Sequence, residues 1–349
     1  MMVTKTSIPE ISVVMPVYNA KAYVAEAVQS VLRQTYRNLE LVVIDDGSTD
    51  DSLGIVQQFD DRRIAIAKNS QNIGLVATLT KGLALSRGNF IARMDADDIS
   101  EPERLAKQLH FLRGHPKVDI VGGAIHFFGS IRRPYTHVFP TDHEDIRVAM
   151  LFYCPLAHPA LMFRRSLVDR NLLSYSDDFR HAEDYHLWSQ LLQSVRAANI
   201  RDLVLHYRLH TTQVSSEHVS PQYRVSKKVR ELLLDRAGVD QTQADVDLHE
   251  SIVREHFGSD AAYINRVALW FEKIELANQA SRFWDRGALH RLFASRCEDI
   301  AIRVALGHPT TTLTQLARQY LRDAGYQPER LMNRLQRRAM RVARQVLAR

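Results

Sequence analysis

The amino-acid sequence predicts an α/β fold, a mostly parallel sheet sandwiched by helices, followed by an all-helical C-terminal region. Three observations predict it. Residues 11–15, 39–44, 64–67 and 90–94 are short, continuously apolar runs; segments with helical apolar spacing lie between them; and from about residue 220 onward the pattern is helical. Strands that are apolar on both faces and alternate with helices imply a parallel sheet covered on both sides. Ligands of such sheets bind beyond the carboxyl ends of the strands. Here those ends carry Tyr18-Asn19, Asp45-Asp46 and Asp95-Ala96-Asp97.

The first run is closed by Pro16. Residues 20–34 repeat apolar side chains at Tyr23, Val24, Ala27, Val28 and Val31, the spacing of one helical face. The second run ends in the turn cluster Asp45-Asp46-Gly47-Ser48, and Ser48 or Asp50 can cap a short helix reaching Phe59. A strand at 64–67, a helix over 73–86 closed by Gly88, and the strand at 90–94 complete the alternation. Residues 101–215 are less regular, with helices expected at 101–113, 143–152 and 183–193 and strands at 118–128, 135–139, 158–163 and 200–208. A boundary near 215–220 divides the chain into domains 1–215 and 216–349. Helices are expected beyond it at 221–236, 243–257, 261–279, 282–305, 310–324 and 328–348.

The chain has 349 residues, 45% apolar and 25% charged, a globular composition that excludes disordered, collagen-like and low-complexity classes. No apolar run approaches the roughly 18 residues that span a bilayer. The N-terminus lacks an apolar h-region, so no signal peptide is expected. Cys154 and Cys297 cannot build a disulfide framework and match no metal motif, which points to a soluble protein of a reducing compartment. The formal net charge is +6, and residues 328–349 carry all of it, with seven arginines against Glu329. The neutral body argues against a protein wrapped in nucleic acid. No glycine-rich dinucleotide fingerprint, P-loop or nucleophile elbow is present, which argues against a dehydrogenase, a nucleotide triphosphatase or a serine hydrolase.

Asp95 and Asp97 flank Ala96 just after a buried strand, so both carboxylates can face one site. Hard oxygen ligands of this kind suit Mg²⁺ or Mn²⁺. A plain turn is the alternative, because Asp98-Ile99-Ser100 precedes a helix and can cap it. Glu183 and Asp184 open a helix, where they can serve as acid–base groups or merely complement the helix dipole. His181 and His186 are five residues apart and diverge on a helix, so a zinc site with Glu183 is not expected.

The segments ISVVMPVYN (11–19), LELVVIDDGSTDDS (39–52), NIGLVATLTKGLALSRGNFIARMDADD (72–98), HPALMFRRS (158–166) and AEDYHLW (182–188) occur in one order and spacing. Together they resemble the inverting nucleotide-sugar glycosyltransferases of family 2, over about residues 9–212. The resemblance implies a GT-A fold. It places Pro16, Val17, Tyr18 and Asn19 along the base pocket and makes Asp46 the acceptor of a nucleobase hydrogen bond, most often from uracil. Asp95, Ala96 and Asp97 become the DxD motif, with Asp97 and Asp95 holding manganese or magnesium and His210 near the metal or diphosphate. Arg93 and Asn72 stand behind them or beside the diphosphate, and Asp184, or else Glu183, is the general base. His158 is either structural or touches the acceptor. One departure is Thr80, where such sequences usually carry Asn ahead of Lys81-Gly82; it would adjust a donor contact. The implied donor is a UDP-sugar and the implied acceptor a glycan or lipid-linked hydroxyl, used at the cytoplasmic face in cell-surface polysaccharide synthesis. The alternative is an inactive nucleotide-sugar-binding subunit that recruits a partner through its helices. A nucleotidyltransferase should carry a glycine-rich phosphate loop after the first strand, and VYNAKAY has no glycine.

The tail at 328–349 segregates Leu331, Leu335, Ala339, Val342 and Val346 from its arginines on a helical wheel. Such a helix can lie on an anionic membrane or pack its apolar face on the helical domain. Nucleic acid is not an expected partner, since no aromatic residues interleave with the arginines. The helices at 221–324 leave a homo-oligomer open.

Overall fold

In the computed structural model, which describes residues 8–210, 219–258 and 261–307, the first apolar runs become β1 (Ile11–Val17) and β2 (Leu39–Asp45), buried at every position. Each pairs in parallel, Ile11 opposite Leu39 and Val17 opposite Asp45. β3 (Ile64–Lys68) continues the parallel set beyond β2, and β4 (Phe90–Arg93) lies on the other side of β1. α1 (Val24–Leu32) buries Val24, Ala27, Val28 and Val31, the face its spacing predicts. α2 (Ser52–Gln57) follows β2, and α3 (Leu75–Leu85) packs on β1 and β2. The approach of α3 is close: a Cβ on Gly82 would lie 2.6 Å from Ile44 and from Val14. Any larger residue there would push the helix off the sheet.

Pro16 does not end β1. The Val14 carbonyl accepts the Met94 N–H, so residues 14 and 16 present their backbone to the β4 side, and β4 pairs with β1 only as far as Val14. The N–H that Pro16 lacks falls where no ladder needs it.

The second half of the sheet is mixed. Its order is β3-β2-β1-β4-β8-β6-β9-β5, with β7 on β6. β5 (Ile99–Ser100) is a short strand the pattern did not announce; α4 (Arg104–Gly114), β6 (Ile120–Gly129), β7 (Tyr135–His137) and α5 (His143–Ala149) follow. The strand expected at 158–163 is a 3-10 turn, His158–Ala160, and then β8 (Met162–Arg164). Pro159, with no N–H to give, suits the turn and not a strand interior. β8 runs antiparallel to both β4 and β6. After α6 (Ser166–Asp169), α7 (Glu183–Leu191) leads into β9 (Ala197–Leu209), which is parallel to β6 and antiparallel to β5.

The described residues form two compact units, one from residues 8–146, 154–210 and 219–226, the other from 147–153, 227–258 and 261–307. The helices are α8 (Val219–Arg236), α9 (Gln243–Val253), α10 (Ala261–Ser281) and α11 (Arg286–Gly307). α11 starts later than its pattern suggests, because the Asn278 side chain binds both backbone groups of Trp284 and fixes the turn before it. In the second unit Phe271 and Phe293 stack at 4.2 Å, and Arg230 grips Glu250 through two hydrogen bonds out of water. No helix among the described residues is long and apolar enough to cross a membrane. The helices expected at 310–324 and 328–348, the basic tail, and most of the boundary at 215–220 lie outside the described residues.

His249 sets a pH limit on the second unit. Trp270 Nε1 donates to its Nδ1 at 3.1 Å, so its Nε2 is the protonated nitrogen and donates to the Leu151 carbonyl at 2.7 Å. Burial pushes its pKa from 6.5 down to about 4. The unfolded chain takes up a proton below pH 6.5 while the native imidazole stays neutral until about pH 4, so stability falls as pH drops through that window. The full loss is about 3 kcal/mol. Thermal unfolding followed by tryptophan fluorescence from about pH 7.5 to 4.5 should show it, and His249→Gln should flatten the dependence.

Candidate active site

Three loops meet at the carboxyl ends of β1, β2 and β3. Tyr18 stands 49% exposed just past β1, whereas Val17 is buried. Asn19 takes a left-handed conformation (φ 49°), its Oδ1 accepts from Thr49 N–H at 2.8 Å, and its own N–H reaches Ser48 Oγ. Gly47, also left-handed (φ 69°), lies so close to Gln71 that a Cβ would sit 2.5 Å from that backbone. The β1, β2 and β3 loops are thereby sewn together.

Asp46 is the stitch. It is 4% exposed. Its Oδ1 accepts from Asn69 Nδ2 and Ile73 N–H, both at 2.9 Å, and its Oδ2 accepts from Gly74 N–H at 3.0 Å. Asn69 is held in turn by Lys81 Nζ at 2.7 Å. The carboxylate expected to meet a nucleobase thus spends three acceptor sites on the loop that follows β3. Asn72 is exposed and turned onto the same loop, its Oδ1 accepting from Gly74. Thr80 bonds back to the Val76 carbonyl in the helix.

β4 delivers the second group. Arg93, its last residue, is 5% exposed, and its Nη1 donates to Asp95 Oδ2 at 2.5 Å. Ala96 is buried, and Asp95, Asp97 and Asp98 present carboxylate oxygens within 4.8 Å of one another. His210 Nε2 lies 2.9 Å from Asp97 Oδ2. Arg208 binds the Asp97 carbonyl through Nε and the Asp98 carboxylate through its backbone N–H, while its guanidinium stacks over Tyr23 and Phe128. Burial, with repulsion from Asp95 and Asp97, pushes the Asp98 carboxyl well up, and Asp98 Oδ2 is buried with no hydrogen-bond partner among the described residues. Burial, and Asp97 beside it, also raise Asp95 against the pull of Arg93. Three crowded carboxylates with an orphaned oxygen are a donor set that fits a divalent cation. Arg93 is set behind this cluster.

The third group opens α7. Asp184 Oδ1 accepts from Tyr185 N–H at 2.7 Å, and burial, then the charge of Glu183, push its pKa up to about 6. Glu183 Oε2 is buried without a hydrogen-bond partner among the described residues. The charges of Arg93 and of both carboxylates act on the Tyr175 phenol, whose Oη lies 3.0 Å from His158 Nε2. His181 and His186 are not gathered with the acidic cluster; His186 stacks on Phe179 at 3.7 Å.

The family model described as Glycosyl transferase family 2 matches residues 12–173. A glycosyltransferase of Haemophilus influenzae without an assigned role is 34% identical over 247 residues, covering 66% of this chain and 76% of that protein. The chain belongs to glycosyl transferase family 2. It is a glycosyltransferase. An Escherichia coli relative, the UDP-Glc:alpha-D-GlcNAc-diphosphoundecaprenol beta-1,3-glucosyltransferase WfaP, is 29% identical over 223 residues, covering 64% of this chain and 86% of that one. Among solved structures, S. aureus TarS 1–349 in complex with UDP-GlcNAc has a TM-score of 0.57 at 19% identity, covering 87% of this chain and 93% of that one. That likeness is one of fold, and it matches the GT-A expectation.

Several site residues escaped the sequence. Asp98 was readable as a helix cap, although its place in an acidic run was a signal. Asn69, Tyr175 and Arg208 carried none, since their partners lie 9 to 111 positions away. The Asp46 network makes its own prediction. Asp46→Ala strands three donors and should lower stability by about 1–3 kcal/mol. Hydrogen exchange at the Ile73 and Gly74 amides should accelerate more than at β2.

Proposed function

We propose that this glycosyltransferase moves a sugar from a nucleoside-diphosphate donor, a UDP-sugar, to a hydroxyl of a glycan or lipid-linked acceptor. The transfer inverts the anomeric carbon and serves cell-surface polysaccharide synthesis. The observation that carries this reading is that one buried guanidinium, Arg93, ion-pairs with Asp95 of the Asp95–Asp97–Asp98 cluster and also acts on the Asp184 carboxyl. The activity of the WfaP relative, with a UDP-glucose donor and a diphosphoundecaprenol-linked acceptor, supports the donor and acceptor classes.

Asp97 and Asp95, with Asp98 and His210 beside them, are the residues that would hold Mn²⁺ or Mg²⁺. When bound, such a cation supplies neutralising charge for the departing diphosphate. The chain does the rest. Pro16, Val17, Tyr18 and Asn19 wall the nucleoside side, and Asp46 keeps the facing loop in place and offers its remaining acceptor capacity to the base. Asp184 takes the proton of the acceptor hydroxyl as the new oxygen–carbon bond forms and the bond to the diphosphate breaks. A hydroxyl is too weak an acid to ionise alone at neutral pH, and a carboxylate with a pKa of about 6 is ionised there while more basic than usual.

Two outcomes are expected. Melting shifts with a panel of nucleoside diphosphates should show a response to UDP that needs Mn²⁺ and disappears in Asp97→Ala. At 100 times the dissociation constant it should reach about 2.7 kcal/mol. No shift with any nucleotide, in a folded sample, would sink the donor-site reading. The rate at saturating donor should rise with pH through a midpoint of about 6, and Asp184→Asn should lower it about 10²–10⁴-fold with UDP affinity unchanged.

A further inference from the structure

We propose that Tyr175 is a positioning residue for Asp184, its hydroxyl held by His158 so that the start of α7 is fixed against Arg93. The inference rests on the reading of Asp184 as the base. Tyr175 lies between α6 and the 3-10 turn Asp177–Phe179, in no regular element. Its Oη is 3.0 Å from His158 Nε2, with the two rings 5.9 Å apart. The same imidazole meets the ring of Trp188 edge-on at 5.9 Å. Trp188 is fully buried and sits one turn after Asp184 on α7, so His158 touches both the phenol and the helix that carries the base.

Arg93, His158 and Tyr175 also converge on one cavity of about 10 Å³, the size of a single water, whose other walls are apolar. The Arg93 cation and the Asp184 and Glu183 carboxylates all act on the phenol. Burial and the two carboxylates hold the phenol proton on, while burial and Arg93 keep His158 neutral. The pair is an uncharged hydrogen-bonded strut that shares a cavity with the buried cation and meets α7 through Trp188. It fixes their separation and contributes no charge of its own.

The test needs no substrate. Carboxyl-¹³C aspartate is introduced into the full chain, and the Asp184 resonance is assigned by its loss in Asp184→Asn. The groups facing Asp184 are Glu183, Arg93, Tyr175 and the Cys154 thiol. In wild type the midpoint should lie near 6. In Tyr175→Phe, which keeps the ring, it should fall by about one pH unit as the first turn loosens and water reaches the carboxyl. His158→Gln, whose amide can still bond the phenol, should stay within about 0.3 of wild type. A Tyr175→Phe midpoint equal to wild type in a protein of unchanged melting temperature overturns the inference, since ring packing would then be the whole role. Should Tyr175→Phe not fold, His158→Leu removes the phenol's partner and should show the same fall. A wild-type midpoint in the ordinary carboxylate range overturns the base reading itself, and the inference with it.

Discussion

A guanidinium shut away from water needs negative charge and carbonyl oxygens around it, and the Arg93 side chain organises the site by that need. It is the last residue of β4, it holds Asp95 directly, and its field reaches Asp98, Tyr175, His158 and Asp184. Desolvating a cation costs several kcal/mol unless partners compensate. The acidic cluster and the Asp184 carboxyl therefore cannot be arranged independently of it. A second buried arginine lies beneath. Arg104 is 1% exposed and binds the Arg93 and Leu161 carbonyls and Gln108, and burial lowers its pKa to about 9. Two buried cations under three crowded carboxylates make a site whose charges are matched in outline and left incomplete in detail. The incompleteness falls at Asp98 Oδ2 and Arg93 Nε.

The loops beyond β1, β2 and β3 obey a different constraint. Its order comes from neutral and single-charge hydrogen bonds between loops, with Asp46 at the centre and Asn19, Thr49 and Ser48 at the rim. A pocket built this way is rigid before a ligand arrives, which lowers the ordering cost of binding.

The sequence made half of this visible. Continuous apolar runs mark β1, β2 and β4 because a covered parallel strand has no polar face to interrupt it. The acids after those strands stood out because polar turns following buried runs have few structural reasons to carry several carboxylates. The second half of the sheet was harder to read. β8 and β5 are two or three residues long, too short to show a period, and their pairing is set by partners far along the chain. The same distance hid Tyr175 and Arg208, and the same local reading made Asp98 a cap. The motif assigns Asp46 to a ligand, and the structure shows how much of that carboxylate the loop after β3 consumes.

β4 leaves β1 early. Its ladder stops at Val14, three residues before β1 ends, and Pro16 sits on the edge so exposed. The chain gives up backbone pairing at the centre of its sheet, where pairing is easiest to make, and the gap is where the acidic run begins. A sequence optimised for stability alone would zip that seam further. Longer β4 variants should therefore be tougher proteins and poorer enzymes, and the proline is a barrier that keeps ordinary drift from closing the opening.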